Sequence, residues 1–373
     1  MMPSIATRVP IAANRWSGKR LLQSDLDAVM EAHEKFLERR PGGARALLSS
    51  AIIKNLDLAQ HDLREADFTG AEMAGARLAA VNLERAILYC ADLRDCDARH
   101  ANLKNADLRG ASLRGADLTY TNLDGADLRA AVLFRQGASG RPIRSLPDTG
   151  TAIDGGVDFS SCSMKGTSLN DVNLRGASFR NAILQGVSFK RAKLLDVCLD
   201  GAVLTQVNSQ ELPFSTEALK SCLRDPSPAA VARAAELRAH VQLHETWVRT
   251  SGADGAPGVL DDEDLRPMKS VFRARELTAL CAKGVIAVGV DFSGCQLQGA
   301  NFTSADLRDA NFEGADLRGA ILSGAKLAHA RFARTNMRSL PLQSGQAQKT
   351  DLTGAQFSDI QFARAMREDA AGG

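Results

Sequence analysis

The residues best suited to chemistry in this chain are few and do not assemble into a set. His240 and His244 stand four apart with Glu245 beside them, a spacing that puts two imidazoles on one helix face and can hold a metal. The order HVQLHE is not HExxH and no third ligand follows, so the pair reads as structural. The stretch GADGAPG at 252–258 is as glycine-rich as a phosphate loop but lacks the Lys-Ser/Thr ending, and it reads as a linker. The seven cysteines (Cys90, Cys96, Cys162, Cys198, Cys222, Cys281 and Cys295) contain no CxxC pair, which argues against a zinc ribbon and a disulfide framework. Asp92, Asp107, Asp117, Asp127, Asp306 and Asp316 recur at one position of a repeating pattern. That placement spreads them over the molecule and suits bonds to neighbouring backbone better than acid catalysis or calcium. No Ser-His-Asp or Cys-His set can be built. The expectation is a non-enzyme with no catalytic residue, metal site or cofactor.

Whole-chain properties narrow the classes further. Lys and Arg number 46 against 44 Asp and Glu, for a net charge of +2, so no global field draws in nucleic acid or an anionic membrane. No apolar run approaches the length of a membrane span or a signal peptide, which predicts a soluble, cytoplasmic chain. Aromatic residues make up only 5%. The core that positions any site must therefore be narrow and built from Ala and Leu.

The positioning element is a repeat with a period of five. From residue 56 the chain reads LDLAQ HDLRE ADFTG AEMAG and onward in fives to AVLFR. A second block starts at Val157 (VDFSS CSMKG TSLND) and a third at Val290 (VDFSG CQLQG ANFTS). Central positions include Leu58, Leu63, Phe68, Leu93, Leu103, Leu108, Leu118, Phe179, Phe189, Phe302, Leu307, Phe312 and Leu317, and only Ala98 interrupts the first block. After Met337, residues 339–349 read as degenerate repeats, because Leu352 keeps the register. Five matches neither the 3.6 period of a helix nor the 2 of a strand. A small residue two before each central one points to the same face of an extended backbone. Each pentad is then one short side and one turn, with both apolar residues inward. Cys96, Cys162 and Cys295 sit at the small position, where they should be buried and inert.

This A(D/N)LXX pattern, over about 200 of the 373 residues, resembles the pentapeptide-repeat family. The resemblance implies an all-β, right-handed quadrilateral β-helix with one pentad per side, and a bacterial protein that acts by binding. Pentads 20 apart then share a side. Arg94 would stack with Arg114 and Arg109 with Arg129, a local basic strip on two neighbouring faces, but acidic residues intersperse them and a mixed solvated face is the reading favoured.

Outside the repeats the sequence predicts helices: one after Ser24 stopped by Pro41-Gly42-Gly43, one from Pro228 with Ser227 as its cap, and one over Pro267–Ala282. HEKFLERRPGG at 33–43 parallels HETWVRTSGADG at 244–255, and each phrase reads as an N-terminal cap for a solenoid whose open end needs cover. The expected organisation is a tail at 1–23, a helical cap at 24–54, and a solenoid at 55–207 with a protruding loop at 134–156. A helical insert and second cap at 208–289, a second solenoid at 290–362 and a tail at 363–373 follow.

The function expected is a protein–protein interaction scaffold or adaptor acting through its solenoid surface and the helical insert at 208–289, with a homodimer through a helical element as an option. Partner-contact candidates are Arg94, Arg109, Arg114 and Arg129 on the first solenoid, Arg141 and Arg144 in the loop, and Trp247. The alternative is a DNA-mimicking modulator of gyrase or another type II topoisomerase, as some family members are. That mimicry needs a strongly negative surface, whereas residues 55–135 hold 13 acidic against 10 basic side chains and the later blocks are near neutral. Direct nucleic-acid binding is disfavoured by the scarcity of aromatics.

Overall fold

The computed structural model describes residues 15–131, 133–136, 142–145, 156–207, 214, 216–362 and 365. Parallel single-residue bridges join outward positions twenty residues apart, as in Asp62↔Asn82↔Asn102↔Asn122 and Asn301↔Ile321. Four pentads therefore complete one coil, and each coil stacks on the last. Every fifth residue from Ser50 to Gly125 has φ between +54° and +71°. The N–H of the next residue closes each turn on the central carbonyl, as Ala106 does on Leu103 at 3.0 Å. A positive φ at the third turn position is the type II geometry, which explains the glycines there. The ladder holds residues such as His100 and Tyr120 in this conformation despite a cost of about 1 kcal/mol each.

The chain divides into two compact units, Met1–Leu223 and Arg224–Gly373. In the first, α1 (Gln23–Leu37) buries Leu26, Val29, Met30 and His33 in the same core as the first coil. The chain before it adds an edge bridge, Arg20↔Ile52. The first coil opens at Ala46 rather than after residue 54, since Leu47 already pairs with Asp67. Leu47 and Ile52 stand where Asp or Asn is usual, which hid these pentads. The expected loop at 134–156 contains two paired antiparallel strands, β1 (Leu133–Gln136) and β2 (Pro142–Ser145). The ladder resumes beyond them, with Asp117 paired to Asp158. A short helix, α2 (Thr216–Lys220), and Phe214 pack on the far end of this core.

In the second unit α3 (Pro228–Arg249) starts at Ser227, whose hydroxyl accepts the Ala230 N–H at 3.1 Å. It buries Ala234, Leu237, Val241 and His244. The helix expected over 267–282 does not form. Only Arg266–Met268 makes a single 3-10 turn, and pentads already run from Gly258, with Val259↔Cys281, Asp264↔Ile286 and Glu276↔Gln296 bridged. Residues 258–289 are thus solenoid, not helical insert. Glu276, Cys281 and Ile286 replace Asp at the outward position, Ala282 and Ala287 replace the large central residue, and two additional residues near Pro267 break the count. Residues 339–349 are not degenerate pentads either. β3 (Leu340–Pro341) and β4 (Ala347–Gln348) form an antiparallel hairpin, and Ile321 pairs with Asp351, thirty residues on instead of twenty. The hairpin's length is a multiple of five, so the register survives it.

The thirteen central residues named above are all at most 4% exposed, whereas Leu194, central in its own pentad, is only partly buried. Phe292, Phe312 and Phe332 stack with centroids 5.1 and 5.4 Å apart, and Phe362 closes the column 4.5 Å from Phe332. Beside Ala98 a small apolar cavity of about 10 Å³ is lined by Leu78, Leu93, Leu103 and Leu118.

Candidate functional site

The surface is generated by one pentad's hydrogen bonds, and residues 106–110 show the scheme. Asp107 N–H donates to Ala86 O at 3.0 Å, Leu108 N–H to Asp127 O at 2.8 Å and Gly110 N–H to Arg129 O at 2.9 Å, while Ala106 closes the turn. Only the N–H after the central residue lacks a backbone partner, and Asp107 Oδ1 accepts it from Arg109 at 3.2 Å. An Asp or Asn before each central residue thus completes the backbone accounting.

The same carboxylate captures the side chain two residues on. Arg109 Nε and Nη2 reach Asp107 at 2.8 and 2.6 Å, and the guanidinium lies 5.3 Å from the Tyr89 ring. Arg94 grips Asp92, Arg99 grips Asp97 and Arg129 grips Asp127 in the same bidentate way. Burial pushes the Asp92 and Asp127 carboxyls upward, but Arg94 and Arg129 prevail and hold both below the ordinary range. Hydrogen bonding from Arg99 does the same to Asp97. Flanking residues of a central Leu face the same way on an extended side, so each Asp-Leu-Arg triplet is a closed ion pair.

The arginines therefore lie on a mixed-charge face and not on a basic strip. Arg94, Arg109 and Arg129 are neutralised by their own aspartates. Arg114 follows Ser112 instead of Asp, is exposed, and makes no ion pair among the described residues. Arg141 lies outside the described residues, and Arg144 is in β2, its backbone opposite Phe134. Trp247 is half-buried, stacked 5.7 Å from the His244 ring. His244 faces the core while His240 is exposed, so the i,i+4 pair does not converge, and no metal-binding cluster occurs among the described residues.

The cysteines at the small position are buried donors. Cys96 Sγ reaches Met73 O at 3.1 Å and Cys162 Sγ reaches Leu118 O at 2.7 Å. Thr121 and Thr335 use hydroxyls for the same contact, each at 2.7 Å. Burial pushes the Cys96 thiol up to about 12 and the Cys295 thiol up to about 11, far from a reactive thiolate.

Eight copies of the family model described as pentapeptide repeats match the chain, over residues 46–133, 155–206 and 288–324. The chain belongs to the pentapeptide-repeat family. Solved structures similar to this pentapeptide-repeat protein include one from the Arabidopsis thaliana thylakoid lumen, 24% identical over 33% of this chain and 68% of that one, with a TM-score of 0.22. QnrB1, a plasmid-mediated fluoroquinolone resistance protein, is 15% identical over 85% of this chain and 94% of its own, with a TM-score of 0.21. HetL of the cyanobacterium Nostoc sp. strain PCC 7120, involved in heterocyst differentiation regulation, is 19% identical over 91% and 98%, with a TM-score of 0.15. No curated protein matches the chain. Among the described residues no helix is long and apolar enough to cross a membrane.

Proposed function

We propose that this protein is a non-enzymatic, cytoplasmic interaction scaffold whose solenoid sides, taken as right-handed in keeping with the family, present patterned surfaces to a protein partner. The observation that carries the reading is the closed Asp-Leu-Arg pair. It leaves these triplets patterned in shape and hydrogen bonding but locally neutral, which suits recognition of another protein surface. Paired charges also weaken the topoisomerase reading, because a DNA mimic needs carboxylates free to act as phosphates.

Arg114 is the cation best placed to meet a partner's carboxylate. Affinity capture with quantitative mass spectrometry should show at least one partner depleted about tenfold by Arg114→Glu, as expected for a loss of about 1.4 kcal/mol, with an unchanged melting curve. Retention of every partner by the variant removes Arg114 from the interface. Altered DNA supercoiling on adding purified protein to a type II topoisomerase would favour the second reading instead.

A further inference from the structure

The repeated His-Glu phrase is repeated in space, contact for contact except at Nε2 of the histidine. At α1 the Ala44 N–H donates to Ala32 O at 2.9 Å, and at α3 the Ala256 N–H donates to Leu243 O at 3.2 Å, in each case to the residue before the histidine. The turn then runs so close to its helix that a side chain cannot fit. A Cβ on Gly43 would lie 2.5 Å from the Phe36 nitrogen, and one on Gly255 would lie 2.2 Å from Leu243 O. Both histidines are fully buried and stack on the aromatic residue three later, His33 on Phe36 at 5.9 Å and His244 on Trp247 at 5.7 Å. Each glutamate faces the first coil. Glu34 meets His61 at 2.9 Å and the Asp62 N–H at 3.4 Å, and Glu245 meets Arg275 at 2.6 Å and the Glu276 N–H at 3.4 Å.

The decisive contact is at Nδ1. Ala46 N–H donates to His33 Nδ1 at 3.0 Å, and Gly258 N–H donates to His244 Nδ1 at 2.8 Å. An acceptor Nδ1 requires the neutral ring with its proton on Nε2. In His33 that proton goes to Arg64 O at 2.9 Å. In His244 the buried Nε2 lies by the Leu277 and Thr278 backbone without a well-formed bond.

We propose that the two histidines are acid-released latches: each holds its N-terminal helix on the opening coil of its solenoid while neutral, and lets go when protonated. Protonation would put an N–H at Nδ1 directly against another N–H, inside the core. Asp62 and Glu34 face His33 and favour its charge, while Arg45 opposes it; burial is the larger effect and pushes the ring below 6.5. Burial likewise pushes His244 down, and the adjacent Glu245 is held by Arg275 and Arg249. His61 also faces this region, 2.9 Å from Glu34, but both side chains are well exposed and such pairs are weak. An undocked imidazole protonates near 6.5 and a docked one lower. Docking is therefore complete above that pH and weakens about tenfold per pH unit below it, until the docked ring titrates. Release would uncover Leu26, Val29 and Met30 on one helix and Leu237 and Val241 on the other.

Ring-nitrogen NMR and amide exchange on the full chain from pH 8 to 4.5 test this. The expected result is the Nε2–H tautomer for both rings, no titration near 6.5, and protection of the Ala46 and Gly258 amides, corrected for intrinsic exchange, falling about tenfold per unit below 6.5. Rings that titrate near 6.5 with protection unchanged would overturn the latch. In His33→Asn the amide oxygen, two bonds from Cβ as Nδ1 is, can accept the Ala46 N–H without titrating. Protection there should become pH-independent while Gly258 keeps its dependence, and a pH dependence that persists at Ala46 also contradicts the proposal. Should that variant fail to fold, the wild-type tautomer and protection profile still decide.

Discussion

At the scale of the residue, each position in a pentad answers one demand of the backbone. The central residue and the small residue two before it fill the interior. The Asp or Asn between them supplies the acceptor that the fifth N–H lacks. Ala98 leaves its share of the interior unfilled, and Leu78 and Leu118 on the same side below and above line the gap. Ala98→Leu should raise stability by about 1 kcal/mol, the usual return from filling a cavity, as an upward shift in denaturant midpoint without a change in slope. A drop would mean that the gap is too small and the new side chain strains its neighbours. The inward positions were legible in the sequence because the spacing of two on an extended side is strict. The Asp–Arg pairing was legible too, in the triplets around Leu93, Leu108 and Leu128. Reading arginines by column between coils, rather than along the side on which they sit, concealed it and suggested a basic strip.

At the scale of the element, the ends of each solenoid matter as much as its sides. An open end exposes apolar surface and unpaired edges. α1 and α3 cover the starts, and Phe214 and Phe362 pack at the finishes. Phe362→Ala should destabilise the second unit by about 3 kcal/mol, as large-to-small core changes do, while amide protection in the first unit stays unchanged. Equal loss in both units would show that the two unfold as one. The helical phrases could be found in sequence because His-Glu-x-aromatic followed by glycine recurs. The opening coils could not. Their outward positions carry Leu47, Ile52, Val259 and Ile286 where the pattern has Asp, and apolar residues at both inward and outward positions mimic a helix. Phe214 and Phe362 lie outside the repeat period, so nothing in spacing marked them.

At the scale of the molecule, the chain is two stacks of four-pentad coils, each interrupted by one antiparallel hairpin. A hairpin whose length is a multiple of five leaves the period intact, so the one at 340–348 was invisible to a register argument. The one containing β1 and β2 shifts the frame and announced itself. All else rests on the coil being twenty residues long, because that alone decides which side chains share a face. Cysteine pairs placed at outward positions test it most directly. Asn82→Cys with Asn102→Cys joins residues bridged between adjacent coils, within the Cα separation a disulfide spans. Asn82→Cys with Asp92→Cys places the thiols two pentads apart, on opposite sides. Under mild oxidation the first pair should cross-link rapidly and the second should not; cross-linking of the second pair as readily as the first would contradict the four-sided coil.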